Sequence, residues 1–484
     1  MNWNKFDQIL EKGVQILVAS VIIVIPVYLK FPLFEVPGTY VFIRAEDFLI
    51  AALIGVWALW KREKMFELLF KNKLTQALAF FWMVTLFSSI SAIFLTDSVS
   101  RTQVMLHYFR YVQYMSLLVV VMTSITDRKI AWWYMKLICL TLVMVFIYGW
   151  GQRMYGWPII STMNREYAQG VAQSTMPGGR INSTFAGHYD LAAYVVMMLN
   201  LLPAIVVVTK KWGKLVPALL WAMAFYLMVV SASRISFAAY LVSIGITLVL
   251  LKKWFWIPVV YVLSIVSFFQ TPELMNRYQQ TFQYEFAPRL ASIHWPWKGD
   301  GSGQIAIVPT LTPPPTPEVV MGNNGTPAVI AIGTPTPTPT MIVDDQAPEI
   351  VEIPEDRSTA IRFEVEWPRA IRAVTKNPAW GTGYSSITLA TDNNFLRILG
   401  ETGLIGLAGW LIIFGEYGLL IIEKMKSGWS TSTKVITYGI IGVVVGFMAN
   451  ALFIDVFAAS KVAIYFWLLI GINIGFLETD KKRK

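Results

Sequence analysis

The sequence predicts an all-α integral membrane protein of about twelve transmembrane helices, with one long extracytoplasmic loop between spans 9 and 10. Three observations carry that expectation. The 484 residues are 55% hydrophobic and 14% charged, with a mean hydropathy of +0.54, whereas a soluble domain carries about 25% charged residues. Apolar stretches close to the length a spanning helix needs, about 20 residues, recur along the chain. Basic residues collect in alternate connections between those stretches. The 19 Trp and 20 Tyr suit aromatic belts at the two bilayer interfaces.

In chain order the predicted spans are 13–30, 43–60, 76–95, 104–124, 131–150, 188–208, 215–231, 235–251, 254–270, 403–422, 435–453 and 461–477. Lys5 and Lys12 precede the first, with no small-residue cleavage pattern, so it reads as a span and not as a removed signal. The stretch 215–251 has 37 residues and one charge, Arg234, near its middle. It is too long for one helix and reads as a hairpin of two, with Arg234 at the turn in SASRIS (Ser231–Ser236). Orientation follows from KREK (Lys61–Lys64) with Lys71 and Lys73, DRK (Asp127–Lys129), Lys210–Lys214, Lys252–Lys253, Lys424–Lys434 and KKRK (Lys481–Lys484). All fall on one side when the N-terminus is cytoplasmic. An even span count then puts the C-terminus there too, in a multi-pass protein of the cytoplasmic (inner) membrane, and the 151–187 and 270–402 loops outside.

The formal charge is +10, but between residues 270 and 400 there are 9 Lys/Arg and 13 Asp/Glu, a net −4 that leaves +14 for the rest. The basic surplus therefore lies in short connections, as membrane orientation requires, and does not mark a nucleic-acid-binding surface. The chain divides into spans 1–9 (1–270), the long loop (271–402) and spans 10–12 with a basic tail (403–484). Within the loop, 299–356 holds eleven of the 24 prolines, in runs such as TPPPTP (Thr312–Pro317). Such a tract favours extended polyproline conformations and cannot bury a core, so it reads as a disordered or stalk-like insertion. It is either a passive spacer or a carrier of O-linked sugars. IRFEVEW (Ile361–Trp367) alternates like a strand, yet Pro368 can open a helix with Ile371 and Val374 on its apolar face. Short helices on the membrane surface are the expectation.

Several residues carry chemistry in this frame. Arg180, in GGRINSTF (Gly178–Phe185), and Arg234 stand at the predicted outer surface. A guanidinium is a rigid fork of donors that matches phosphate oxygens, and an ionisable group beside apolar spans is a functional candidate. The alternative is snorkelling to lipid headgroups. Asp392, Asn393 and Asn394 form a polar triple: the carboxylate can take a proton from an attacking hydroxyl or orient a sugar, or the triple caps the following helix. His188 and Asp190 open a span in AGHYDLAAY (Ala186–Tyr194), where the histidine is either a base or an interfacial hydrogen-bonder. His107 and His294 are scattered, and Cys139 is the single cysteine, so neither a disulfide within the chain nor a metal-ligand spacing is predicted. Gly381, Gly383, Gly400, Gly403 and Gly406 mark tight turns and close packing. No GK[ST] follows the GTG, and no nucleotide-binding motif is present.

Four segments carry a resemblance: GGRINSTFAGHYDLAAY, SASRISFAAYL, RFEVEWPRAIRAVTKNPAWGTGYSSI and DNNFLRILGETGLIGLAGWL. In order and in topological position they resemble the O-antigen ligase and polymerase superfamily of polytopic membrane glycosyltransferases. That resemblance implies a polyprenyl-diphosphate-linked glycan donor, usually undecaprenyl diphosphate. It implies transfer at the outer face to a lipid, glycan or protein acceptor, without metal, nucleotide or other cofactor. It gives Arg180 and Arg234 the donor diphosphate. Where ligases usually have a histidine, this chain has Asp392, so the activating role falls to Asp392 as a carboxylate base or to His188, with Asn393, Asp190 and Arg362 in support. A polymerase, a protein O-oligosaccharyltransferase and a non-enzymatic lipid-linked sugar transporter are the alternatives. A transporter more often shows interrupted helices and midplane charges.

Overall fold

The structure, a computed structural model, describes residues 3–37, 39, 41–96, 100–162, 169–174, 179–269, 361–387, 390–426 and 428–480. The Pro/Thr-rich tract and His294 lie outside the described residues. Each of the twelve predicted stretches forms a helix. They are α1 (Trp3–Val27), α2 (Ala45–Trp60), α4 (Lys73–Ser91, extended by a π-helical turn Ala92–Thr96), α5 (Arg101–Ser124), α6 (Arg128–Tyr155), α7 (His188–Val208), α8 (Leu215–Ser231), α9 (Arg234–Leu250), α10 (Trp256–Phe269), α12 (Asn394–Lys426), α13 (Thr431–Ala451) and α14 (Ser460–Thr479). A short α3 (Met65–Lys71) precedes α4, and α11 (Trp367–Lys376) precedes α12. Among the described residues nine helices are long and apolar enough to cross a membrane, whereas α2, α9 and α10 have 16, 17 and 14 residues. The chain is a multi-pass membrane protein.

Side-chain bonds fix which helix ends lie together. At one end Arg62 donates to Asp7 (3.0 Å), Gln15 to the Ser124 carbonyl (3.2 Å) and Arg128 to Asp480 (2.6 Å). This basic end also holds Lys210, Lys211 and Lys214. At the other, Lys30 donates to Ser460 (2.6 Å), Ser236 to Asn450 (2.7 Å) and the Phe457 amide to Asn394 (3.0 Å). Two short antiparallel ribbons lie in connections at that end, β1 (Pro32–Glu35) with β2 (Phe42–Arg44), and β3 (Ile159–Ile160) with β4 (Ala172–Gln173). They correct the all-α expectation: brief connections between helices satisfy their backbone groups by pairing with one another.

α14 and α7 are the central helices; 89% and 72% of their apolar windows are buried inside the protein. Both are apolar all round, which suits a helix surrounded by others. Polar residues bond the packed helices together. Tyr417 of α12 donates to Asn473 of α14 (2.8 Å), which donates to Thr437 of α13 (2.9 Å). Asn200 of α7 bonds Ser243 and Thr247 of α9.

α12 is broken. Gly403 has φ 71° and ψ −175°, so the helix stops at Thr402 and restarts. The break frees two carbonyls and two amides, and NPAWGTG (Asn377–Gly383) takes all four. Thr382 N and Gly383 N donate to the Gly400 and Glu401 carbonyls (3.0 and 2.8 Å), while Leu404 N and Ile405 N donate to Pro378 and Ala379 (2.9 and 3.3 Å). Ser88 of α4 adds a bond to the Glu401 carbonyl (2.8 Å). Gly383 (φ 86°) meets Ala92 so closely that a Cβ there would overlap it. α11 begins beside Pro368 as expected and packs on α12 through Ala370, but Ile371 of its apolar face is 52% exposed.

Candidate functional site

Arg180 lies on a segment that is pinned before α7 begins. Ser183 (φ 49°) donates its amide to Gln152 Oε1 (2.7 Å), receives Gln152 Nε2 at its carbonyl (2.9 Å) and sends its hydroxyl to the Val145 carbonyl (2.7 Å). Lys461, at the start of α14 and 2% exposed, donates to the carbonyls of Thr184 (2.7 Å) and Tyr28, and its ammonium lies over the Phe185 ring. The segment is thereby tied to α14 and to the end of α1. From it the Arg180 Nη1 donates to His188 Nε2 at 3.2 Å. Asp190, one helical step beyond, interacts electrostatically with Lys30 and Lys461. Burial pushes the Lys30 ammonium down from its ordinary range.

Arg234 opens α9 after a tight turn in which Ala232 is left-handed (φ 50°) and Ser233 caps the helix, accepting from the Ser236 amide (3.4 Å). Ser236 then bonds Asn450. This places Arg234, half-buried, at the same end of the bundle as Arg180.

The polar triple separates into three tasks. Asp392 is left-handed (φ 47°) and its Oδ2 receives Arg362 Nε (3.0 Å) and Nη2 (2.8 Å). Asn393 is the cap, accepting from the Leu396 amide (3.0 Å). Asn394 Oδ1 accepts from Phe457 of the α13–α14 connection. The cap is therefore on Asn393, while the Asp392 carboxylate is held by Arg362. Burial raises the Asp392 carboxyl against the lowering effect of Arg362. Glu366 is raised further, to about 7, by burial first and then by Asp392 and Asp455 nearby.

The structure brings together Arg180 with His188, and Arg362 with Asp392. It adds residues that the sequence reading missed. Asp455 Oδ2 accepts from the Thr391 amide (2.8 Å) and from Arg397 Nη1 (2.8 Å), and Arg397 Nε faces Glu401 at 3.5 Å. Glu401 in turn accepts from the Ser385 amide (3.1 Å). Asp455 and Lys461 had one available signal: each is a lone charge next to the last two apolar runs. An apolar cleft of about 500 Å³ lined by Trp221, Leu248, Trp256 and Leu263 lies elsewhere, with Lys214 and Lys253 at its rim toward the basic end.

Chemically, one end of the bundle carries half-buried guanidinium groups, an imidazole, and the carboxyls of Asp392 and Glu366, both raised by burial. That set can neutralise an anion and move a proton. Residues 218–411 match the family model described as O-Antigen ligase, a stretch that runs from α8 through the first part of α12 and contains Arg234, Arg362, Asp392 and Asn393. Arg180, His188 and Asp190 precede it. No curated protein matches the chain. The matched stretch, with its Ser-Arg turn and its Asn-Pro-x-x-Gly-x-Gly segment set into a broken helix, supports a likeness of this membrane protein to the O-antigen ligase superfamily.

Proposed function

We propose that the protein moves a glycan from a polyprenyl-diphosphate donor to an acceptor hydroxyl at the outer face of the cytoplasmic membrane. The observation that carries this reading is the gathering of Arg180, His188, Arg234, Arg362 and Asp392 at one end of the bundle, away from the basic end. In this reading the nine long apolar helices and the shorter α2, α9 and α10 all cross the bilayer, the basic end is cytoplasmic with both termini, and the ribbon end faces out.

Arg180 and Arg234 hold the diphosphate. As the bond from the anomeric carbon to the diphosphate oxygen breaks, its electron pair stays on the diphosphate, and fixed guanidinium groups stabilise that charge more in the transition state than in the ground state. The acceptor oxygen forms the new bond to the anomeric carbon, and its proton passes to Asp392. Asp392 suits the role because Arg362 engages only its Oδ2. His188 receives Arg180 at Nε2 and so orients the guanidinium. Asn393 holds the start of α12 beside Asp392, and Asp190 balances Lys30 and Lys461. No metal, nucleotide or other cofactor enters this scheme. The prenyl chain stays in lipid against the bundle.

The acceptor separates ligase, polymerase and protein O-oligosaccharyltransferase; sugar found on the chain's own Thr/Pro tract by mass spectrometry would favour the last. The break in α12 favours a second reading, a lipid-linked sugar transporter, since such proteins bind at interrupted helices. Here, however, the freed backbone groups are taken by residues 378–383. The test is purified protein with a lipid-diphosphate glycan and candidate acceptors. Arg234→Ala abolishes transfer in folded, inserted protein, and Arg234→Lys loses most of it, because a point charge does not replace the fork. Wild-type turnover in Arg234→Ala contradicts the scheme.

A further inference from the structure

Buried polar atoms without a hydrogen-bond partner gather where α11, the Thr391–Asn394 turn and the α13–α14 connection meet. The acceptors are Glu366 Oε2 and Asp455 Oδ1; the donors are Thr391 Oγ1, Asn394 Nδ2, Trp367 Nε1 and an Arg369 guanidinium nitrogen. Thr391 and Asn394 are completely buried and Glu366 is 8% exposed. The groups belong to one place. Thr391 N bonds Asp455 Oδ2, Asn394 Oδ1 accepts from Phe457, the Trp367 ring lies 6.3 Å from Phe453, and Glu366 is within electrostatic reach of Asp455 and Asp392. Nearly all buried polar groups in folded proteins are paired, so such a concentration calls for a ligand.

The mixture of unmet groups identifies its chemistry. A phosphate would face the carboxylates of Glu366 and Asp455, and a metal cation would face the donors of Trp367, Asn394 and Arg369. A hydroxyl both donates and accepts, and a sugar carries several around a rigid ring. We propose that Glu366, Trp367, Thr391, Asn394 and Asp455 form a subsite for sugar hydroxyls, distinct from the guanidinium groups assigned to the diphosphate. The inference rests on the glycan-transfer reading for its ligand class and beyond it for the location. The subsite adjoins Asp392, whose neighbour Thr391 contributes to it, so a sugar held there presents its groups beside the assigned base.

The test uses the full chain in nanodiscs and two probes: an undecaprenyl-diphosphate-linked oligosaccharide, and the same oligosaccharide released from its lipid by mild acid. Thr391→Val keeps shape and deletes the hydroxyl; Glu366→Gln keeps shape and removes the charge. Each variant is first checked by thermal unfolding, and either one that folds suffices. The expected result is a Kd for a glycan probe raised about tenfold, the cost of one polar group left unpaired, with binding of sugar-free undecaprenyl diphosphate unchanged. Weakening of either glycan probe supports the subsite, and weakening of the lipid-linked probe alone assigns it to the donor sugar. Unchanged Kd for both glycan probes overturns the proposal and leaves a pocket filled by water. Should wild-type protein transfer nothing yet bind oligosaccharide in a Thr391-dependent way, the transfer reading fails and the subsite stands.

Discussion

Asp392 illustrates how local conformation and distant partners combine on one residue. Its left-handed backbone (φ 47°) is a conformation that Asp and Asn tolerate better than most, and it turns the carboxylate away from the helix it precedes, toward Arg362 thirty residues back. Burial raises the Asp392 carboxyl and Arg362 lowers it. Removing the guanidinium leaves burial and Asp455 to raise the group, opposed by Arg397 alone. In Arg362→Gln, therefore, the acid limb of the pH–rate profile moves to higher pH, because the base must be deprotonated to act and its nearest opposite charge is gone. Activity well above that limb falls less than activity below it. An unshifted limb in the variant would assign the proton to another group. The Asn393 cap was legible from residue type alone, since capping is local. The Asp455 bonds to Thr391 and Arg397 were not, since their partners are 64 and 58 residues away.

At the scale of the element, α12 departs most from its apolar pattern. Hydropathy places a span at 403–422, but the helix begins at Asn394 and breaks at Gly403. FLRILGETG lacks membrane hydropathy because it carries two charges, Arg397 and Glu401, which are met by Asp455 and by the Ser385 amide. The Gly403 conformation is one only glycine adopts readily, and a Cβ there would strike the Ala379 carbonyl. Gly403→Ala is expected to cost at least about 1–3 kcal/mol and to lower the thermal unfolding midpoint of solubilised protein. Gly418→Ala, in the same helix with nothing within 4 Å of its Cβ position, should leave that midpoint unchanged or slightly higher. Equal effects of the two changes would mean that the break is not structurally required. The glycines that pack NPAWGTG into the break were legible as turn formers; the backbone groups they approach were not.

For the whole molecule, the two ends differ in kind. The basic end is held by ion pairs and caps such as Arg128–Asp480 and Arg62–Asp7, whereas the other carries ribbons, a broken helix and the candidate site. The proposed orientation makes Val171 and Trp212, 50% and 90% exposed, accessible from opposite sides of the membrane. In a Cys139→Ala background, a membrane-impermeant maleimide is expected to label Val171→Cys in intact cells and Trp212→Cys only after permeabilisation. Labelling of both from one side would undo the twelve-crossing arrangement and the outer-face site with it.

The sequence by itself determined that this chain is a bundle of membrane helices, where those helices run, and that it resembles the O-antigen ligase superfamily. A bilayer tolerates only backbone that bonds to itself, and so writes its constraint into every apolar run. What only the tertiary structure decided is which charges meet. Arg180 reaches His188 because Lys461, more than 270 residues further along, holds the intervening segment by the Thr184 carbonyl. Asp455 serves Thr391 and Arg397 because the last helical connection folds over the mouth of α12. Contacts between residues far apart in the chain leave no periodicity to read, since they depend on how whole helices pack and not on the spacing within any one of them.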